Sequence, residues 1–233
     1  MKLSHDPGRR TARPMTLTEH PLTRTEAMTR LAPRDTVPLK LGAYAAIHDA
    51  ILRDLARLEC RTGRAAAGVG PELDRAGLQR WWARFERNIE HHHEREDDLL
   101  FPLLLERGVA LDVAGLTGDH DVLDVLMADV RHGLADAPVM DDHLPREELE
   151  VFPAFDAHVS AEEYAEIEAE MRKGLPLREM AFTLPWIADE LHPRLLAHLQ
   201  EELPAPLLAL DRLLWHRPYP PPAAPPLAGG RGA

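Results

Sequence analysis

Residues 92–102 read HHEREDDLLFP, and residues 143–153 read HLPREELEVFP. Aligned without a gap, His92 falls on His143, Glu96 on Glu147, Phe101 on Phe152 and Pro102 on Pro153. In each stretch the histidine and the glutamate stand four positions apart, one turn of an α-helix, so each pair shares one face. The pairs also interrupt apolar stripes. Leu78, Trp82, Phe85, Ile89, His92, Glu96, Leu99 and Leu103 step by three and four without a break, the spacing of a helix with one buried face. Met140, His143, Glu147, Val151 and Ala154 make a shorter stripe of the same kind.

Each of these segments is preceded by a helical stripe carrying one histidine. Leu41, Tyr44, His48, Ile51, Leu55 and Leu58 form the first, and Val113, Leu116, His120, Leu123, Met127, Val130 and Leu134 the third. A unit of one histidine helix followed by one His-x-x-x-Glu helix therefore occurs twice. Four amphipathic segments with modest connections and no period-two alternation predict an all-α fold, an antiparallel four-helix bundle over residues 40–158.

The remainder of the chain bounds what that bundle does. Among 233 residues, 27 Lys and Arg stand against 39 Asp and Glu, a net charge of −12, which argues against broad phosphate neutralisation and a nucleic-acid partner. No apolar run approaches the roughly 20 residues that cross a bilayer, so no membrane partner is expected. MKLSHDPGRRTARP has no apolar stretch behind its charge, and the protein is expected to be cytoplasmic. Met15 is a plausible alternative start. Residues 1–39 are basic and interrupted by prolines at 7, 14, 21, 33 and 38, and read as a disordered arm. Residues 217–233 are rich in Pro and Gly and read as a second disordered tail. Between bundle and tail, residues 159–216 read as a helical extension. Ser160 to Glu163 is a capping box, and Pro185, Pro193, Pro204 and Pro206 break the rest of the extension into short helices packed on the bundle. Trp186, Leu207, Leu208, Leu213, Leu214 and Trp215 are placed to complete the core at one end, or to act as a lid over the site.

Six ionisable groups on four inward stripes decide the chemistry: His48, His92, Glu96, His120, His143 and Glu147. Buried carboxylates and imidazoles are costly unless they neutralise, pair or bind a metal. With a single cysteine, Cys60, any metal must be held by nitrogen and oxygen. The repeat predicts a dinuclear site in which the two glutamates bridge. Nitrogen and oxygen donors with carboxylate bridges suit iron, with manganese equally able to accept them. The neighbouring histidines His91 and His93 lie about 100° per residue from His92 and read as pointing away from the seam. Glu90 and His93 form a Glu-x-x-His without a second copy elsewhere, and His93-Glu94 fails the His-Glu-x-x-His pattern because position 97 is Asp.

The double His…His-x-x-x-Glu pattern, with His-His-x-x-Glu-Asp ahead of Leu-Phe-Pro, resembles the hemerythrin-like or HHE cation-binding domain over about residues 40–158. The resemblance implies a four-helix bundle holding two irons through His48, His92, Glu96, His120, His143 and Glu147. It implies a small diatomic or peroxide partner: a protein that binds or senses dioxygen, nitric oxide or iron, or alternatively an enzyme that disproportionates or reduces hydrogen peroxide. Oxygen carriers of this type place a second histidine one turn after the third-helix ligand, and here that position is Asp124. Tyr44, one turn before His48, and Asp124 are the candidate proton donors. Pro145 falls two residues after His143, harmless if Asp142 caps the helix and kinking if the helix opens at Pro138.

Overall fold

A computed structural model describes residues 30–69, 73–131, 139–173 and 175–210, and among these residues there is helix and no strand. Helix α1 spans Gly42–Ala66 behind a 3-10 turn at Leu39–Leu41. Helix α2 spans Arg75–Arg95, passes through a π-turn at Glu96–Leu100, and continues as α3, Phe101–Glu106. Helices α4 (Val113–Arg131) and α5 (Val139–His158) complete the bundle. Asp74 caps α2, its carboxylate accepting from the Gly77 N–H at 2.8 Å, and Asp112 does the same for Gly115 at 3.1 Å ahead of α4. α1 packs on α5, α5 on α4, and α4 on α2, which gives the expected antiparallel bundle.

The predicted stripes face inward, with one shift of register. Trp82, Phe85, Ile89, His92 and Glu96 are buried as expected, but beyond Glu96 the buried residues are Leu100, Phe101 and Leu104, while the expected Leu99 and Leu103 are only half-buried. The π-turn is the reason. The Phe101 N–H bonds the Glu96 carbonyl five residues back, so one extra residue fits into the turn and every later side chain rotates by about one position. The π-turn begins at Glu96 of the His-x-x-x-Glu repeat, and such bulges are frequent at functional sites.

Helix α5 opens at Val139, so Pro145 lies inside it rather than in its first turn, and the residue four positions earlier loses a backbone hydrogen bond. Of the basic arm expected to be unpacked through residue 39, positions 1–29 lie outside the described residues. The segment from 30 onward contradicts that expectation: Leu31 and Val37 are buried, and the Arg34 guanidinium reaches Asp49 and Glu148. Two buried apolar side chains, Leu31 and Val37, and one well-paired arginine anchor this short stretch.

The extension forms α6 (Ala161–Arg172), α7 (Leu177–Ala188), α8 (Pro193–Glu202) and α9 (Ala205–Leu210). The Ser160–Glu163 capping box is present in full. α7 and α8 cover a second face of α1, which explains why Ala45, Ala46, Ala50 and Leu52 are buried beside the predicted stripe. Trp186 is fully buried, edge-on to Phe85, with its indole N–H donating to Asp54 Oδ2 at 3.1 Å. Arg53 donates to the carbonyls of Trp186 and Asp189, satisfying groups that the end of α7 leaves open. Trp186 therefore completes the core; Leu207 and Leu208 are only half-buried. Leu213, Leu214 and Trp215, together with the 217–233 tail, lie outside the described residues.

Candidate metal centre

All six residues singled out by the repeat are buried, and all six come together inside the bundle. α1 contributes His48 one turn after Tyr44; α2 contributes His92, with Glu96 where the π-turn begins; α4 contributes His120; α5 contributes His143 and Glu147. His48 Nε2 and His92 Nε2 are 3.1 Å apart. Glu96 spans two helices, with Oε1 3.0 Å from His92 Nε2 and Oε2 3.4 Å from His120 Nε2. Glu147 does likewise, its Oε2 standing 3.3 Å from His48 Nε2 and 3.8 Å from His143 Nε2. Each glutamate thus reaches one histidine of the His48–His92 pair and one of the His120–His143 pair.

These approaches leave many donor atoms unsatisfied. Both Glu96 oxygens, Glu147 Oε2, His120 Nε2 and His143 Nε2 are buried without a hydrogen-bond partner. Each such group costs about 1–3 kcal/mol, against a total stability of roughly 5–15 kcal/mol for a domain. Five of them converging on one space is the arrangement that a cation resolves, and the donor set of imidazole nitrogen and carboxylate oxygen suits a borderline or hard transition metal. His48, His92, Glu96 and Glu147 form one group of donors lying within 4.8 Å of one another.

A ring of acidic residues aims the imidazoles. His48 Nδ1 pairs with Glu148 at 2.9 Å, His120 Nδ1 with Asp97 at 2.9 Å, and His143 Nδ1 with Asp119 at 3.4 Å. Holding the proton on Nδ1 leaves the Nε2 lone pair facing the interior, the usual way a protein orients a metal-binding histidine. Each carboxylate is itself held: Glu148 by Arg34, Asp97 by the Thr117 hydroxyl at 2.7 Å, and Asp119 by Arg146. None of the three stands out in the sequence, although a signal exists. Asp97 and Glu148 occupy the same place in the repeat, one residue after each glutamate of the motif.

Electrostatics without a cation are polarised. Burial drives the His92 imidazole well below its usual range, assisted by the neighbouring His48. Burial also lowers His143. His48 loses to burial too, but the close approach of Glu147 and the hydrogen-bonded Glu148 carboxylate outweigh it and hold its pKa at about 9. Burial and the nearby Glu147 raise Glu96 well above the carboxylate range. For Glu147 burial acts upward, yet the close approach of the His48 imidazole and the other surrounding histidines win and hold it well below that range. Tyr44, raised by burial and by Glu147, keeps its proton and donates it to Glu147 Oε1.

Residues 41–139 match the hemerythrin HHE cation-binding domain. The chain carries an HHE domain. The match takes in His48, His92, Glu96 and His120, and ends before His143 and Glu147, which the geometry alone brings to the same cluster. No curated protein and no solved structure matches the chain.

Two expectations about the HHE domain's other residues change. Asp124 is exposed and is not among the grouped donor atoms, so it is not placed as a metal donor. His91 and His93 part company. His91 is half-buried and pairs with Glu94 at 3.1 Å, as a residue turned from the seam should. His93 is buried, against the expectation, and stacks on His120 with ring centroids 4.0 Å apart. The reason is that α2 faces two neighbours. His92 meets α1 and His93, about 100° further round, meets α4, so the buried arc is wider than one stripe.

Proposed function

We propose that this HHE domain is a non-haem di-iron protein that binds or senses a small exogenous ligand, dioxygen or nitric oxide. The observation that carries the reading is the pair of glutamates, each spanning both histidine pairs, with both Glu96 oxygens and Glu147 Oε2 buried without a hydrogen-bond partner. His48 and His92 would hold one ion, His120 and His143 the other, with Glu96 and Glu147 shared between them. When bound, two irons supply Lewis acidity and electron-transfer chemistry toward a diatomic or peroxide ligand.

The chain's own residues supply the setting. Glu148, Asp97 and Asp119 fix the imidazole tautomers. Phe152 lies parallel to the His48 ring at 6.1 Å and Phe101 parallel to the His120 ring at 6.0 Å, walling the cluster against water. The Tyr44 hydroxyl donates to Glu147 and sits at the edge of the His48 and His92 rings, a neutral proton donor at the centre.

Azide binding to iron-loaded protein tests the open position. The expected result is a new charge-transfer absorption that saturates with azide, and a spectrum indifferent to azide would refute an accessible site. Adding peroxide and following oxygen release separates binder from enzyme. Rapid catalytic release would replace this reading with the peroxide-disproportionating one.

A further inference from the structure

His93 lies beyond the set of donors that the repeat marks out. It is 4% exposed, and neither of its ring nitrogens has a hydrogen-bond partner. Its ring lies parallel to that of His120, the planes 7° apart, and meets His143 edge-on at 5.6 Å between centroids. Donor nitrogens of His93, His120 and His143 lie within 4.8 Å of one another. Two donors on opposite sides of one ion, with bonds of about 2.1 Å, stand about 4.2 Å apart, so the donor atoms are close enough for a common ion once the His93 ring turns out of its stack on His120.

Packing alone does not explain a histidine at this place. A neutral imidazole carries one N–H and one lone pair, and burying both without partners is costly, whereas an apolar ring would stack on His120 without that cost. The exposed Asp124 leaves the turn after His120 without a buried imidazole, and His93 brings one to the same side of the cluster from α2. His92 and His93 can serve different ions although they are adjacent. Their ring centroids are 5.7 Å apart, and the ions of a dinuclear site stand about 3.5–4 Å from each other.

We propose that His93 is a fifth histidine ligand, so that His48 and His92 hold one ion and His93, His120 and His143 hold the other, with Glu96 and Glu147 shared. The inference rests on the dinuclear reading above and adds to it an unequal division of histidines.

Cobalt(II) is the probe. The full chain, stripped of metal, is titrated with cobalt, and the exchangeable, hyperfine-shifted imidazole N–H resonances are counted, one for each ligating histidine. Wild type should take up two cobalt ions and show five such resonances. His93→Phe, which keeps an aromatic ring against His120, should show four and lose at least about tenfold in affinity at one of the two sites. His91→Ala, altering a neighbour turned from the cluster, should keep five. Two bound ions with only four resonances in wild type would overturn the role of His93 while leaving the dinuclear centre intact, and so would a His93→Phe protein indistinguishable from wild type. Wild type taking up fewer than two ions would overturn the dinuclear reading itself. Should His93→Phe not fold, the count in wild type decides alone.

Discussion

Truncating Glu148 to alanine should damage stability and metal binding together, because one carboxylate ties three parts of the chain. It is 2% exposed. It accepts two bonds from the Arg34 guanidinium at 2.8 Å, one from the Ala32 N–H at 2.8 Å, and pairs with His48 Nδ1 at 2.9 Å. Removing it strands a mostly buried guanidinium, and breaking a buried ion pair from one side costs about 3–5 kcal/mol. Arg34 retains Asp49 at 2.9 Å, which is 27% exposed and offers a partial alternative, so the low end, about 3 kcal/mol, is expected. At about 2–4 °C per kcal/mol for a domain of this size, the metal-free protein should melt roughly 6–12 °C lower. Freeing His48 to rotate and change tautomer should weaken metal binding about 10–100-fold. Thermal denaturation of the metal-free protein and a competition titration against a chelator measure the two effects. Glu148→Gln, which keeps an acceptor oxygen for His48, should fall between wild type and alanine. Asp49→Ala should cost less than about 1 kcal/mol, as more exposed pairs do. A Glu148→Ala protein within about 1 kcal/mol of wild type and with metal affinity within about twofold, on the scale of those estimates, would refute the reasoning.

Asp97→Asn should lower metal affinity by about 10–100-fold with little change in metal-free stability, since Asp97 orients His120 from a partly exposed position; unchanged chelator competition would contradict it. Trp186→Ala should cost about 3–5 kcal/mol by opening a cavity and stranding Asp54 Oδ2, while azide access to the loaded centre stays as it was. Faster azide binding with undiminished stability would restore the lid. The metal-free protein should also lose stability on acidification from about pH 6.5 to 4.5. Burial depresses His92, His93 and His143 below 6.5, so the unfolded chain takes up protons that these folded imidazoles refuse. Glu96, raised above 4.5, binds one proton in the folded state over the same window and offsets one of the three. His48, raised to about 9, is protonated in both states below pH 6.5 and adds nothing there. A net uptake of about two protons gives a slope of up to roughly 3 kcal/mol per pH unit, readable as urea midpoints against pH. Stability that is flat or rises on acidification would contradict the assignment.

The register of four stripes and the repeat are enough to place His48, His92, Glu96, His120, His143 and Glu147 on inward faces, because a helical period converts position directly into direction. Three features escape that conversion. The π-turn at Glu96 changes the period itself, so Leu100 and Leu104 replace Leu99 and Leu103, and no composition cue marks such a turn. A single stripe gives each helix one buried line, whereas α2 has neighbours on two sides, and so His93 reads as outward while the fold turns it inward. The acidic residues that orient the histidines lie beside the stripes rather than on them, and only the alignment of Asp97 with Glu148 hints at a shared role. Arg34, from a segment that reads as an unpacked arm, is legible only through its buried partner.

The most direct measurement is the metal content of the full chain, loaded with iron(II) without oxygen, freed of excess ion, and analysed together with Glu96→Gln and Glu147→Gln. Two irons per chain in wild type, falling to one or none in each variant, is the result predicted from glutamates that span both histidine pairs. Wild type retaining at most one iron, or either variant retaining two with unaltered affinity, would contradict a glutamate-bridged centre.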